Sequence, residues 1–471
     1  MERMYLMAMA GPAMLALQAT GGPLSLHPDN PHYFLFRGEP LILITSAEHY
    51  GAVLNLDFDY ERYLETLARD GMNHTRTFVG AYCEPVGAFR IQRNTLAPAA
   101  GRFIAPWARS NQDGYANGGN RFDLKRWDPS YFERLRGFVA KAGELGIVVE
   151  VNLFCPFYRD EMWELSPMNA RNNVNGIGNV PRERAYALDG EKGLLGVQEQ
   201  MTRKVVSELK DCDNVFYETM NEPYQRAVPL DWELRIAQVV RETEAALGVK
   251  HLMSRNVANG KARVHNPHPE FSILNFHYAW PPDAVTMNYG LARLIGDNET
   301  GFKGNGDFHY RREGWAFILA GGGLYNNLDY SFTVGHEDGT FEYPTTQPGG
   351  GGTALRRQLR GLSEFIHAFG FIRMAPLPDL LHEPLAKGTA CFTLAEKGRQ
   401  YAVYLCRTGK TGRAGALDLV LNVPDGRYRA SWLDPASGER TDVGVVTVTE
   451  SRCRMRSPVF KEDLALALEG R

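Results

Sequence analysis

Residues Asn214 to Gln225 read NVFYETMNEPYQ. The first half is an apolar and aromatic run suited to a strand, and the second half is Asn-Glu-Pro. Alternate strand residues share a face, so Phe216, Glu218, Met220 and Glu222 are predicted to point one way. Pro223 has no amide hydrogen to give a ladder, so the strand is predicted to stop there. Glu222 then stands at the C-terminal rim, beside the donor and acceptor of Asn221. A carboxyl in that place serves a ligand better than it fills a core.

Working outward, the same alternation of strand and helix recurs. LILITS precedes DFDYERYLETLARDG, in which Phe58, Tyr63, Leu64 and Leu67 fall at helical spacing before Gly71. Strand-like MNHTRTF, IVVEVNLF, HLMSRN, FSILNFHY, LARLIGDNE and GLYNNLD follow, most of them trailed by an amphipathic run. Eight such units predict a closed (β/α)8 barrel over residues 23–374. The link VANGKARVHNPHPE is the weakest join, since it reads poorly as a helix. An open doubly wound sheet is the alternative, but no G-x-G-x-x-G follows a strand, so a dinucleotide site has no support. Two long loops, 79–128 and 155–192, are rich in Asn, Gly, Pro and aromatics and belong on the face where barrels build sites. From 375 to 471 the pattern turns to period two between Gly, Pro and Asp turns, which predicts a small all-β sandwich.

The whole chain bounds the function classes. It has 471 residues, enough for a large barrel with an accessory module. A net charge of −3 with no basic block argues against a nucleic-acid partner. No run reaches membrane-spanning length, so no membrane partner is expected. The six cysteines show no C-x-x-C pair, and no H-x-H ends the first strand; no metal and no cofactor are expected. Residues 1–22 hold an Arg, an apolar run and Ala19, loosely like an export signal; a secreted or periplasmic location and an ordinary first segment of a cytoplasmic chain both stay open. Oligomeric state is not legible.

A second acid closes the seventh strand, where LIGDNETGF meets Asp297 and Glu299. Two carboxyls at the ends of two barrel strands are the minimum set for cleaving a glycosidic bond: one protonates the departing oxygen, the other attacks the anomeric carbon or activates water. Asp297 in place of Glu299 is the alternative at that strand, and it would share Glu299's face one pleat deeper. Glu218 reads as a buried partner of Arg76 or Arg255. Glu48 and His49 close strand one, where a sugar contact and a buried network are both open for His49. Trp107, Trp127, Tyr158 and Trp163 sit in the long loops as stacking or packing aromatics.

These motifs resemble the retaining glycoside hydrolases of clan A, with the family 5-like branch nearest. YETMNEP, FHY, HTRTF, EHYGAVLNLDFDY, LSPMNARNNVNG and GWAFILAGGGLYNNLDYSF carry the likeness, which runs from about Gly22 to the end. YRASWLDPASGE is similar to the small sandwich appended to bacterial cellulase-like members. The resemblance implies Glu222 as acid/base, Asn221 on the substrate 2-hydroxyl, Glu299 as nucleophile, and Arg76 keeping Glu299 ionised. It further implies Tyr278 as a hydrogen-bond donor to Glu299 and His277 near Glu222, with apolar walls raising the pKa of Glu222. No tryptophan ends the eighth strand, so Tyr325 or Trp280 is expected to take the stacking role. The reaction implied is retaining hydrolysis of β-linked, glucan-type carbohydrate. A carbohydrate-binding protein without turnover is the competing class.

Overall fold

The computed structural model describes residues 22–189, 193–409 and 414–471. The expected leader, apart from its last residue, lies outside them. Eight parallel strands form one sheet: β1 Leu43–Ala47, β2 His74–Phe78, β3 Val148–Asn152, β4 Val215–Glu218, β5 Leu252–Asn259, β6 Ile273–His277, β7 Leu294–Thr300 and β8 Leu324–Leu328. Their ladder runs β1-β8-β7-β6-β5-β4-β3-β2. The chain is thus a (β/α)8 barrel followed by an all-β region.

The seam between β1 and β2 carries backbone bonds from Asn73 N to Ile44 O at 3.5 Å and from Phe78 N to Tyr50 O at 3.1 Å, and a side chain adds to them. Asn73 donates its amide to Ile42 O at 2.9 Å and accepts from Ile44 N at 2.8 Å. That carboxamide does for two buried isoleucines what a ladder bond does elsewhere in the barrel.

Helices α1 Tyr60–Arg69, α2 Pro129–Glu144, α3 Leu194–Glu208, α4 Leu230–Leu247, α5 Asp283–Asn288, α6 Asp307–Leu319 and α7 Thr353–His367 surround the sheet. Local chemistry sets their ends. Asp59 caps α1 by accepting from Arg62 N, and Asp128 caps α2 by accepting from Ser130 N, with Pro129 in the first turn. Gly248 ends α4 at φ 72°. Among the described residues no helix joins β5 to β6, in line with the poor helical pattern there. The short α5 was not legible. Nor was the hairpin Trp107–Asp113 with Asn120–Trp127, which folds inside the first long loop.

The barrel interior is layered. At the bottom, Leu43, Val148, Phe216, Ile273, Leu294 and Leu324 pack together under Phe34 of an N-terminal three-stranded antiparallel cap. Each fully buried side chain of this kind stabilises by about 1.5–3 kcal/mol. Above them the layer turns ionic, with Arg76, Glu150 and Glu218 all buried. The candidate site lies above that.

Strands β9 Ala375–Pro376, β10 Thr389–Glu396, β11 Gln400–Arg407, β12 Asp418–Asn422, β13 Gly426–Leu433, β14 Arg440–Val448, β15 Arg452–Arg456 and β16 Asp463–Gly470 follow. They form a six-stranded antiparallel sheet, β9-β10-β11-β16-β13-β14, and the pair β12-β15, around a core that includes Tyr401, Leu421 and Trp432. This region leans on α6. Arg311 donates to both oxygens of Asp463 at 2.8 Å, and Trp315 stacks on Tyr404 with centroids 5.4 Å apart. The six cysteines are free. Among the described residues no helix is long and apolar enough to cross a membrane.

Candidate active site

Two irregularities bring the acids together. Strand β4 ends at Glu218, four residues earlier than alternation predicted, and Glu222 follows on a turn pinned by Asn221 N donating to Phe154 O at 2.9 Å. Glu222 adopts φ 36°, ψ 52°, a left-handed conformation that costs a non-glycine residue about 1 kcal/mol or more. Pro223 then starts a one-turn 3-10 helix. Strand β7 carries a bulge: Asp297 pairs with Tyr325 but Thr300 with Asn327, so one residue is extra.

The bulge separates the two acids of this strand. Asp297 accepts from Ala279 N at 3.3 Å and lies beside Glu313 of α6, whereas Asn298 donates inward to Glu150 at 2.8 Å and to Glu218 at 3.2 Å. Glu299 stands at the mouth. The expectation that Asp297 shares Glu299's face is therefore corrected, because the extra residue resets the alternation.

Glu222, His277 and Glu299 meet, with one ligating atom from each within 4.8 Å of the others. Both carboxyls are nearly buried, at 6% and 5% exposure. Glu299 accepts from Tyr278 OH at 2.5 Å, from Tyr50 OH at 2.9 Å and from the Arg76 guanidinium at 3.5 Å. Glu222 accepts from Tyr158 OH at 2.7 Å, and His277 Nδ1 is 3.1 Å from its other oxygen. Nδ1 also lies 3.5 Å from Glu299. The spacing would suit a divalent cation. However, these carboxylate oxygens already meet hydroxyl, imidazole or guanidinium groups, and Arg76 adds positive charge, so the set fits a cation poorly.

Arg76 organises the layer beneath. It bonds Glu150 at 3.2 Å, Glu218 at short range and the Asn221 amide oxygen at 2.8 Å. Asn221 in turn donates to Tyr158 OH at 2.8 Å, which orients both groups. Glu218 is thus Arg76's partner, while Arg255 pairs with Glu233. Burial lifts the Glu218 carboxyl to about 7; Arg76 opposes this and Glu150's charge adds to it.

Burial pushes the Glu222 carboxyl up, but the hydrogen bond and charge of His277, with the Tyr158 hydroxyl, outweigh it and hold Glu222 below the ordinary value. The raised pKa expected for Glu222 is corrected accordingly. His277 moves the other way. Burial disfavours its charge, yet the Glu299 carboxylate and the bond to Glu222 raise its pKa above 6.5.

A cavity of about 590 Å³ opens over the pair, lined by Glu222, Glu299, Asn221, Tyr278 and His49. His49 Nδ1 contacts Asn94 at 3.1 Å, and burial lowers its pKa to about 4, so it faces the cavity neutral. Glu48 does not reach the cavity. It accepts from Gly51 N, Ala52 N and the Thr95 hydroxyl as a buried loop clamp.

The two residues expected to stack on sugar lie elsewhere. Tyr325 turns outward against α6, where Gly314 leaves room for its ring, since a Cβ there would sit 2.8 Å from it; its hydroxyl donates to Tyr310 O at 2.7 Å. Trp280 packs on Phe392 of β10 under the Arg312 guanidinium, 4.1 Å away. Among the loop aromatics, Trp107 is buried, Trp127 packs on Phe132 and Trp163 on Phe157. Tyr158 alone of that group reaches the acids. Sequence reasoning missed Tyr50, Tyr224, Glu84 and Phe302 as cavity or acid neighbours. Only Tyr50 carried a signal, as the residue after His49 at the end of strand one. Tyr224 OH donates to Asn259 at 2.6 Å and sits 3.4 Å from Glu222. Phe302, 38% exposed, faces Tyr278 and Phe89 edge-on.

No protein-family profile and no curated protein matches the chain. Solved structures share its fold. A candidate glycoside hydrolase from Bacteroides vulgatus superposes with a TM-score of 0.67 at 15% identity, covering 97% of this chain and 84% of the other. A structure described as a glycoside hydrolase gives 0.64 at 13%, covering 95% and 97%. A family 5 glycoside hydrolase from Bacteroides vulgatus gives 0.63 at 13%, covering 95% and 94%. At such identities the likeness speaks for the fold.

Proposed function

We propose that the chain is a retaining β-glycoside hydrolase acting on β-linked, glucan-type carbohydrate. The observation that carries this reading is the approach of Glu222 and Glu299 oxygens within 4.8 Å across one cavity. Retaining enzymes hold their carboxyls about 5–5.5 Å apart, whereas inverting ones need about 6.5–9.5 Å to admit a water.

The surroundings divide the labour. Glu299, held by two tyrosine hydroxyls and Arg76, has its oxygens aimed and charged for attack on the anomeric carbon. Glu222 delivers a proton to the departing oxygen. In the resting state that proton is shared with His277, whose acidity is suppressed by the charge on Glu299. As Glu299 becomes an ester it loses that charge, and His277 more readily yields its proton to Glu222. Glu222, left as a carboxylate, then takes a proton from the water that attacks the glycosyl-enzyme. Asn221 is positioned to meet the 2-hydroxyl, His49 a further hydroxyl, and Phe302 supplies the exposed aromatic face for stacking.

The test uses Glu222→Ala and Glu299→Ala on aryl β-glycosides. Each is expected to lose about 10²-fold or more in turnover. Azide should partly restore Glu222→Ala, giving a β-glycosyl azide, and should give only the inverted azide with Glu299→Ala. Undiminished turnover by either variant refutes the assignment.

A further inference from the structure

The cavity that holds the two acids also has a cationic lip. Arg159, Arg226 and Lys303 line it together with Glu222 and Glu299. None of the three has a carboxylate within ion-pair distance among the described residues. Other loop cations do: Arg182, on the loop of Arg159, bonds Asp160 at 2.8 Å, and Lys261, after β5, bonds Asp283 at 2.6 Å. Arg159 feels the charge of Glu84 but forms no ion pair with it; Tyr82 and Asn94 each donate to one Glu84 oxygen.

The two lip guanidiniums are held in place by neutral groups. The Arg159 guanidinium lies over the Phe89 ring, 5.2 Å from its centroid. Arg226 donates Nε to Tyr158 O at 2.9 Å and a terminal nitrogen to Gln225 O at 3.1 Å. Lys303 comes from the other side, four residues after Glu299, next to Phe302, whose ring meets Phe89 at 6.4 Å. Guanidiniums fixed by carbonyls and an aromatic face, with donors left over, suit a planar or tetrahedral anion.

Their side of the cavity is identifiable. Tyr158, which precedes Arg159 and is clasped by Arg226, donates to Glu222. On the glycosidase reading, which this inference uses only to tell the two sides apart, Glu222 serves the leaving group. We infer that the leaving-group side of the cavity binds a sugar carrying an anionic substituent, a uronate carboxylate or a sulfate ester, through Arg159 and Arg226, with Lys303 across the lip.

The experiment measures binding without turnover, by calorimetry on full-length Glu222→Gln protein. The probes are β-1,4-glucuronan oligosaccharides, the same oligosaccharides carboxyl-reduced to neutral β-1,4-glucose chains, and 6-O-sulfated β-1,4-glucose chains. At low salt the uronate or the sulfated chain is expected to bind roughly tenfold or more tightly than the neutral one. The preference should shrink severalfold in about 0.5 M salt, and in Arg159→Gln and Lys303→Gln, each made separately in the Glu222→Gln background. A preference for the uronate names the carboxylate as the ligand group, and one confined to the sulfated chain names the sulfate. Equal affinity for charged and neutral chains, or a preference untouched by both variants and by salt, overturns the inference. Failure of the wild-type protein to hydrolyse any of these chains would count against the glycosidase reading and leave the binding comparison intact.

Discussion

Replacing Arg76 with methionine removes a fully buried guanidinium from among Glu150, Glu218 and Glu299. Breaking a buried pair by deleting one partner costs about 3–5 kcal/mol. Part of that cost is relieved because the Glu218 carboxyl, already at about 7, takes up a proton once its cation is gone. The relief depends on pH, and its sign follows from the pKa values. Glu218 titrates in the fold above its unfolded value of 4.5, so the folded state holds a proton that the unfolded chain gives up, and stability falls as pH rises. Losing Arg76 raises the folded value further. At pH 6 Glu218 is largely protonated with or without Arg76, so the proton-linked terms nearly cancel. At pH 8 they differ by up to about 1.4 kcal/mol, because a carboxyl at about 7 loses no more than that one unit above its own value however far the variant's Glu218 rises. Denaturant unfolding at pH 6 and pH 8 is the assay. Arg76→Met should lose about 2–4 kcal/mol at pH 6 and visibly more at pH 8. Adding Glu218→Gln should restore stability in part but not activity, because Asn221 and Glu299 still lack their donor. A loss under about 1 kcal/mol, or one equal at both pH values, would refute the reasoning.

Three further outcomes follow from the same contacts. Asn73→Ala strips the partners from the Ile42 carbonyl and the Ile44 amide, and should cost about 2–5 kcal/mol in denaturant unfolding; a cost near zero would show that the seam closes without it. Arg311→Met leaves Asp463 buried and unpaired, so it should lower stability by about 3 kcal/mol and open the junction between barrel and sheet to protease; an unchanged digestion pattern counts against bracing. His277, raised above 6.5, keeps its proton below that pH and loses it as pH rises through the folded value, so kcat/KM should decline on the alkaline side above pH 6.5; a decline centred below pH 5 contradicts the shared-proton scheme.

The barrel was legible because its strands are short apolar runs with clear stops, its first two helices carry aspartate caps, and helices such as α1 and α7 keep amphipathic spacing. Asn-Glu-Pro located Glu222, since a proline and a polar pair at a strand end leave few structural alternatives. What escaped depends on departures from regular repeat. Alternation placed Asp297 with Glu299, and one extra residue in β7 parted them. Tyr325 looked available for stacking because the room that Gly314 makes behind the strand arises only when α6 docks. The depressed pKa of Glu222 required knowing that His277 sits between two carboxyls. Long loops hide pairings such as 107–127, because local pattern says little about which loop segments meet.

Trapping the covalent intermediate bears most directly on the two-acid scheme. A 2-deoxy-2-fluoro β-glycoside with a good leaving group should inactivate the protein and add one sugar mass to the peptide carrying Glu299, while Glu299→Gln should gain nothing. Attachment at Asp297 or Glu84, or turnover that first releases the α-anomer with no adduct, would contradict the scheme.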